Sequence, residues 1–525
     1  MSASREKQLR QENVGQPDPK AAREAQQRKE EKRSNTLYAI IALAFVVVAA
    51  ASLLWRSNII ARTATAATID GEKYTAAEVN FYYQNAYRTF YSQNYYYMTY
   101  GLLSLDTNTA LDKQVMSEDD LAMMGIEDAT EGQTWSDFFV GQALEQMTAV
   151  QNSEKKAKEE GFTYPDSIQT QAEEYMDSMS SAAAASNLSV TQYLASNFGS
   201  TMTEKVYREQ LTRLLKYDAY TKAYSDSLVY DDATLQAAYD ADPNSYDKVA
   251  YESISISGSA PSTTDASGNT VEATDAEKDA AKKAAKAAAD EMLSAYRAGE
   301  TLETLADGND KANYTNNSGS TYSASSDLSV WLFDSARKDG DSTVVEIGTT
   351  YYVAVFHERF REDYPTIDVR HILIQPAKGT LSESDEGYEA EQEQLKAEAK
   401  AKAEQLLADW KAGEATEASF AALATENTQD TGSQSTGGLY TQVYQGQMVT
   451  AFNDWCFDSS RKTGDTGVVE TDYGYHVMYF VGEDLPRWQA QVSDALKEQD
   501  YSEWAENLIA DSSVEQNASG MKYVG

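Results

Sequence analysis

Nineteen consecutive residues, Leu37 to Trp55 (LYAIIALAFVVVAAASLLW), carry no charge. As a helix the run is about 28 Å long, near the thickness of a bilayer's hydrocarbon core. Beyond it the pattern changes to short periods. Ala67–Lys73 reads as a strand and turn around Asp70-Gly71, a hairpin signal. Thr75-Ala-Ala-Glu78 is a capping box that opens a helix. Ten of the twenty residues from Phe81 to Tyr100 are aromatic, and Tyr83, Tyr87, Phe90 and Tyr91 share one helical face. That face is expected to be core, the alternative being a surface that holds unfolded chains. Tyr95, Tyr96 and Tyr97 are harder to bury on one face. Residues 136–240 read as mostly helical, broken at Gly161–Pro165 and loose over Ser180–Ser186; a further helix starts after Tyr230 and ends near Pro243. Ser257–Thr274 reads as a loop. Ala276–Gly299 and Glu389–Gly413 are long Ala/Lys/Glu helices closed by glycine, and Arg487–Asp511 is a last helix with a frayed end.

Two segments repeat. WLFDSARKDGDSTVVE (Trp331–Glu346) and WCFDSSRKTGDTGVVE (Trp455–Glu470) lie 124 residues apart and share eleven of sixteen positions. Upstream, YRAGETLETLA parallels WKAGEATEASFAALA, and YESISI (Tyr251–Ile256) parallels VRHILI (Val369–Ile374). Each copy predicts a strand, a long helix, a short helix, a loop and a closing strand, so two homologous α+β domains follow one another.

Charge orients the chain. Residues 1–34 hold nine Lys/Arg against six Asp/Glu, net +3, while residues 56–525 hold 35 against 77, net −42; the whole chain, 44 against 83, is at −39. A basic tail inside and an acidic bulk outside follow the positive-inside rule. The alternative is a signal peptide cleaved near Ala64-Thr65-Ala66. The length of the apolar run and the eleven residues with Arg56 and Arg62 after it favour an uncleaved anchor. The acidity disfavours nucleic acid as a partner. A single cysteine, Cys456, excludes an internal disulfide, a thiolate zinc site and an iron–sulfur cluster. There is no EF-hand pattern, and no metal or cofactor is expected.

The three histidines are His357, His371 and His476. His371 is on the first strand of copy two, where copy one has Ser253; His476 is on the last strand, where the 124-residue offset gives Tyr352. Ala424 to Trp455 spans 31 residues and Ala306 to Trp331 only 25, so copy one has lost six from the intervening loop. A histidine pair present in one copy alone points to a shared site rather than to two separate core residues.

VRHILI, FAALATENTQDTGSQSTGG, GQMVTAF and GYHVMYF, in this order over about residues 366–482, resemble the parvulin family of peptidyl-prolyl isomerases. The wider plan, with IDGEKYTAAEVNFYY opening a helical region, resembles extracytoplasmic foldases of PrsA and SurA type, in particular anchored Gram-positive, clostridial-like forms in which GGLY replaces GGDLG. The resemblance implies a basic tail (1–35), a transmembrane helix (36–55), a helical chaperone-like domain (56–245), a degenerate parvulin-like domain (246–362), an active one (366–484) and a C-terminal helix and tail (485–525). It also implies His371, Asp430 and His476 as catalytic residues, with Met448, Phe452, Tyr440 and Gln447 contacting substrate. Leu439 and Thr441 stand where the family has aspartate and glycine. The implied partners are unfolded or partly folded exported polypeptides with X–Pro bonds, and the lipid bilayer through residues 36–55. Two other functions stay open: a holdase with silent parvulin domains, or an anchored envelope scaffold. Covalent attack by Cys456 is disfavoured, since Cys456 aligns with Leu332 and lies between Trp455 and Phe457.

Overall fold

In the computed structural model, which describes residues 40–49, 52, 58–126, 132–265 and 268–525, Asp70 and Gly71 both take positive φ (48° and 83°). That is the backbone of a tight hairpin turn, and it joins Thr65–Ile69 to Glu72–Thr75. Thr75 then closes the expected capping box with Glu78 and starts the helix Ala76–Thr99. Residues 40–49 and 52 are helical, but the rest of the 36–55 span lies outside the described residues, as does the whole basic tail. Among the described residues no helix is long and apolar enough to cross a membrane.

The chain divides into two units, residues up to Ser227 with Asp500–Gly525, and Leu228–Gln499. In the first, Ala76–Thr99 packs among the helices Trp135–Glu160, Ser167–Ala185, Val190–Phe198 and Glu204–Ser227. Trp135, Phe139, Phe81, Tyr82 and Tyr83 are almost fully buried. Of the aligned aromatic face, Tyr83 and Phe90 are buried and Tyr87 and Tyr91 half-buried, with Tyr87 edge-on to Phe139. Tyr95, Tyr96 and Tyr97 are exposed. The Ala/Ser-rich segment is not loose: the helix runs to Ala185 because Ala183 is buried. Nor is the end of the chain frayed. Val514–Gln516 adds a third antiparallel strand to Thr65–Ile69, and the Asp70 carboxylate accepts from Ser513 N at 2.9 Å.

In the second unit, the repeat gives two four-stranded antiparallel sheets of one topology. Copy one is ordered Ala312–Ser320, Lys248–Ser257, Thr350–Phe360, Ser342–Ile347; copy two is ordered Leu439–Val443, Pro365–Ile374, Gly474–Pro486, Thr466–Thr471. Long helices, Asp275–Arg297 and Tyr388–Ala412, cover one face of each. The near-identical sixteen-residue block is scaffold. Arg337 lies over Trp331 (4.8 Å) and Arg461 over Trp455 (4.2 Å), each guanidinium also meeting the carboxylate of Asp334 or Asp458. The register matches as well. Ser253 faces Ala354 as His371 faces Met478, and Tyr352 faces Ser255 as His476 faces Leu373.

Candidate active site

Because His476 is opposite Leu373, it is the diagonal neighbour of His371 on the same face of the sheet. Both rings are buried, at 2% and 6% exposure. Their Nδ1 atoms are 3.1 Å apart. Outward from this pair, His371 Nε2 is 3.0 Å from Asp430 Oδ2, and His476 Nε2 is 2.9 Å from Thr471 Oγ1. Asp430 Oδ2 also accepts from Tyr440 Oη at 2.7 Å and from Ser433 Oγ, while Oδ1 accepts from Gly432 N at 3.2 Å.

The loop that carries Asp430 is held tightly to the sheet. Thr428 Oγ1 accepts from Leu373 N and from Asp430 N, and Arg370 donates to the carbonyls of Thr436 and Gly437. His371 N donates to Gly438 O at 2.8 Å. Gly438 has φ +73°, and a Cβ there would be 2.2 Å from His371 O, so only glycine lets the loop lie against this strand.

Burial, and the neighbouring ring, push His476 down to about 4; burial likewise lowers His371, against the pull of Asp430. For Asp430, burial raises the carboxyl, but the hydrogen bonds from Ser433 and Tyr440 and the His371 ring outweigh it and bring it to about 2. At neutral pH the rings are therefore neutral and the carboxylate ionised. Only one set of protons fits: Thr471 donates to His476 Nε2, His476 Nδ1–H to His371 Nδ1, and His371 Nε2–H to Asp430. Every donor points toward the carboxylate.

An apolar cluster borders this chain of hydrogen bonds. Phe452, on the helix Thr450–Cys456, is 2% exposed and stands edge-on to both imidazoles, with centroids 5.6 and 5.3 Å away. Tyr440 stacks on His371 at 4.9 Å. Met448 and Tyr440 are half-buried and pack on the same cluster as Phe452. Gln447 is exposed, and its Oε1 accepts from Tyr444 N, closing a turn. The structure thus brings His371, Asp430, His476, Tyr440, Met448 and Phe452 together and leaves Gln447 beside them.

Residues 355–482 match a family model described as the PPIC-type PPIASE domain. These residues form a parvulin-type domain. Among solved structures the chain is similar to PrsA from Bacillus subtilis, with 14% identity over 76% of this chain and 93% of that one (TM-score 0.29). It is also similar to the peptidylprolyl isomerase PrsA from Bacillus anthracis, with 20% identity over 31% of this chain and 60% of that one (TM-score 0.18). A third is the foldase protein PrsA from Streptococcus pneumoniae, with 12% identity over 73% of this chain and 90% of that one (TM-score 0.15). No curated protein matches the chain significantly.

Sequence reasoning missed three polar groups of this cluster: Ser433, Thr471 and Thr428. Ser433 is three residues after Asp430, and Thr471 faces Gly474 across the turn that leads to His476. A hydroxyl beside each end of the histidine pair was the available signal. Cys456 is 1% exposed, and burial raises its thiol to about 12, so no thiolate exists at neutral pH.

Proposed function

We propose that the chain is a membrane-anchored, extracytoplasmic peptidyl-prolyl cis–trans isomerase that assists the folding of exported polypeptides. The observation that carries this reading is the chain of hydrogen bonds Thr471–His476–His371–Asp430 bordered by Tyr440, Met448 and Phe452. Rotation about an X–Pro bond crosses a barrier of about 18–20 kcal/mol held up by amide resonance. The twisted amide is less dipolar than the planar one, so an apolar wall shaped to it favours the transition state. A preference of about 4 kcal/mol gives roughly a thousandfold. The neutral imidazoles do not pass protons to the substrate in this scheme. They hold the loop and the Tyr440 ring at one geometry, with the ionised Asp430 as the common acceptor. Neither nucleophile nor cofactor enters it.

The test is isomerisation of X–Pro tetrapeptides by the full chain, read by a proline-coupled assay. Catalysis abolished in a stably folded Met448→Ala/Phe452→Leu variant supports the reading; wild-type rate in that variant sinks it. The acidic surface predicts a preference for neutral or basic X over phosphorylated X.

The anchor rests on the apolar run 37–55 and the change from net +3 to net −42 across it. Protease added outside wall-free cells is expected to degrade the acidic bulk and spare residues 1–34. Protection of residues beyond 56 refutes this orientation, and a free form starting near Ala67 refutes the anchor.

A holdase reading is favoured by one observation: copy one keeps the sheet and register but has Ser253 and Tyr352 at the histidine positions. In that reading copy one binds chains without turning their prolines. Suppression of aggregation of an unfolded polypeptide by a chain whose isomerase site is disabled would support it.

A further inference from the structure

We propose that the outer strand of copy one, Ala312–Ser320, is a strand-addition site for an extended, unfolded polypeptide segment of neutral or basic character. The two copies differ most here. In copy two the equivalent strand, Leu439–Val443, is five residues long and has a register shift between Tyr440 and Val443. Gln442 takes a left-handed φ of 53°, and its N–H is used by Asp368 Oδ1. That edge is irregular. In copy one the missing six residues leave no loop to fold over the sheet. The chain instead runs as a nine-residue strand, paired in unbroken register from Ile256↔Ala312 to Tyr251↔Asn317, with one register shift before Val249↔Ser320.

This strand ends its sheet, so alternate residues turn N–H and C=O groups away from Lys248–Ser257. Beyond the sheet pairing, the hydrogen bonds donated by its backbone N–H groups are local: Ala312 N to Asn309 O, and Gly319 N to Asn317 Oδ1. Residues 313, 315, 316 and 318 are exposed. Natural edge strands are usually guarded by charge, proline or a covering element. The opposite edge of this sheet has such a guard, Glu346 in an ion pair with Lys282 at 2.6 Å. The outer strand has none: Ala312–Ser326 holds no charged residue and no proline, in a chain that is 24% charged.

The row of outward amides dictates its occupant, since another extended backbone satisfies them and side-chain identity matters little. A second copy of the chain is disfavoured, because each copy carries −39. Glu252, Glu303, Asp307 and Asp310 near the strand outnumber Lys311 and Lys248, and Lys248 is already paired with Glu362 at 3.0 Å, so the local charge favours neutral or basic segments. This site does not depend on the isomerase reading.

The test uses the full chain in detergent and a fluorescent decapeptide, KVTVTVTVTK. Hydrogen–deuterium exchange over 312–320 is expected to slow by about tenfold or more when the peptide binds, with no change over 439–443; no slowing over 312–320 overturns the proposal. Thr315→Pro and Asn316→Pro separate the two sides of the strand, since adjacent residues face opposite ways. The variant that removes an outward N–H should lower peptide affinity about tenfold with unchanged melting. Wild-type affinity in both variants overturns the site. Protection over 312–320 that rises with protein concentration before peptide is added means a second copy is the occupant, which also overturns it. Edge protection in a chain with no isomerase activity would sink the isomerase reading and leave this one standing.

Discussion

His371 Nδ1 and His476 Nδ1 lie 3.1 Å apart, so one ring must donate and the other accept. An imidazolium pair would place two donors face to face. With Asp430 ionised at the other nitrogen of His371, the direction of every proton along the chain is determined.

Nitrogen-15 NMR at pH 7 is expected to show two neutral rings, His371 as the Nε2–H tautomer and His476 as the Nδ1–H tautomer. An imidazolium signal from either ring at this pH contradicts the assignment. Catalysis should then show no step between about pH 7 and 8, since both rings are lowered from the ordinary histidine value and the carboxyl lies lower still.

Stability should fall in acid in two stages. A histidine lowered to about 4 in the folded state, against about 6.5 unfolded, contributes fully above 6.5 and loses its contribution as pH falls toward 4. The order is about 3 kcal/mol for His476 alone. Asp430, at about 2 against 3.8, adds a second loss between those values. Denaturant melts at about pH 7, 5, 4 and 2 measure both stages. His476→Gln should flatten the first stage, and an undiminished slope in that variant would mean other groups cause it.

Asp430 accepts from His371, Ser433 and Tyr440 at once. Asp430→Ala strands these donors, at a cost of about 1–3 kcal/mol in stability and with a reduced catalysed rate. Asp430→Cys should retain more activity than the alanine variant. Tyr440→Phe should keep the stack on His371 and raise the Asp430 carboxyl, seen by carbon-13 titration. An alanine variant with wild-type rate would remove Asp430 from the site.

Phe452 is covered on nearly all sides, so Phe452→Ala should cost about 3–5 kcal/mol and is a poor probe of substrate contact. Phe452→Leu and Met448→Ala preserve more of the packing. Each is expected to lower kcat/KM by one to two decades, about 1.5–3 kcal/mol, with a small change in melting. Gln447→Ala should change little.

Copy one should not catalyse isomerisation in a full chain whose second site is disabled. Adding Ser253→His and Tyr352→His should not restore activity. The chain that would hold an acceptor for the new rings is used instead in the strand Ala312–Ser320. Activity in that background, with or without the added histidines, would overturn the assignment.

Much of this protein was legible before folding because local chemistry decides it. The Asp70-Gly71 turn, the Thr75/Glu78 capping box and the glycine-terminated helices depend on residues a few positions apart. The repeat exposed the two sheets, and the offset of 124 placed Tyr352 opposite its counterpart strand as His476 is in copy two. Residues far apart in the chain were a different matter. The joining of His371 and Asp430 needs a loop flattened at Gly438, and Val514–Gln516 returns over 440 residues to pair with Thr65–Ile69. Tyr440, Ser433 and Thr471 acquire their roles only through hydrogen-bond geometry that spacing does not encode. The same holds for the free edge: composition reveals a charge-free stretch, but the register of the sheet decides that its backbone is the outermost strand.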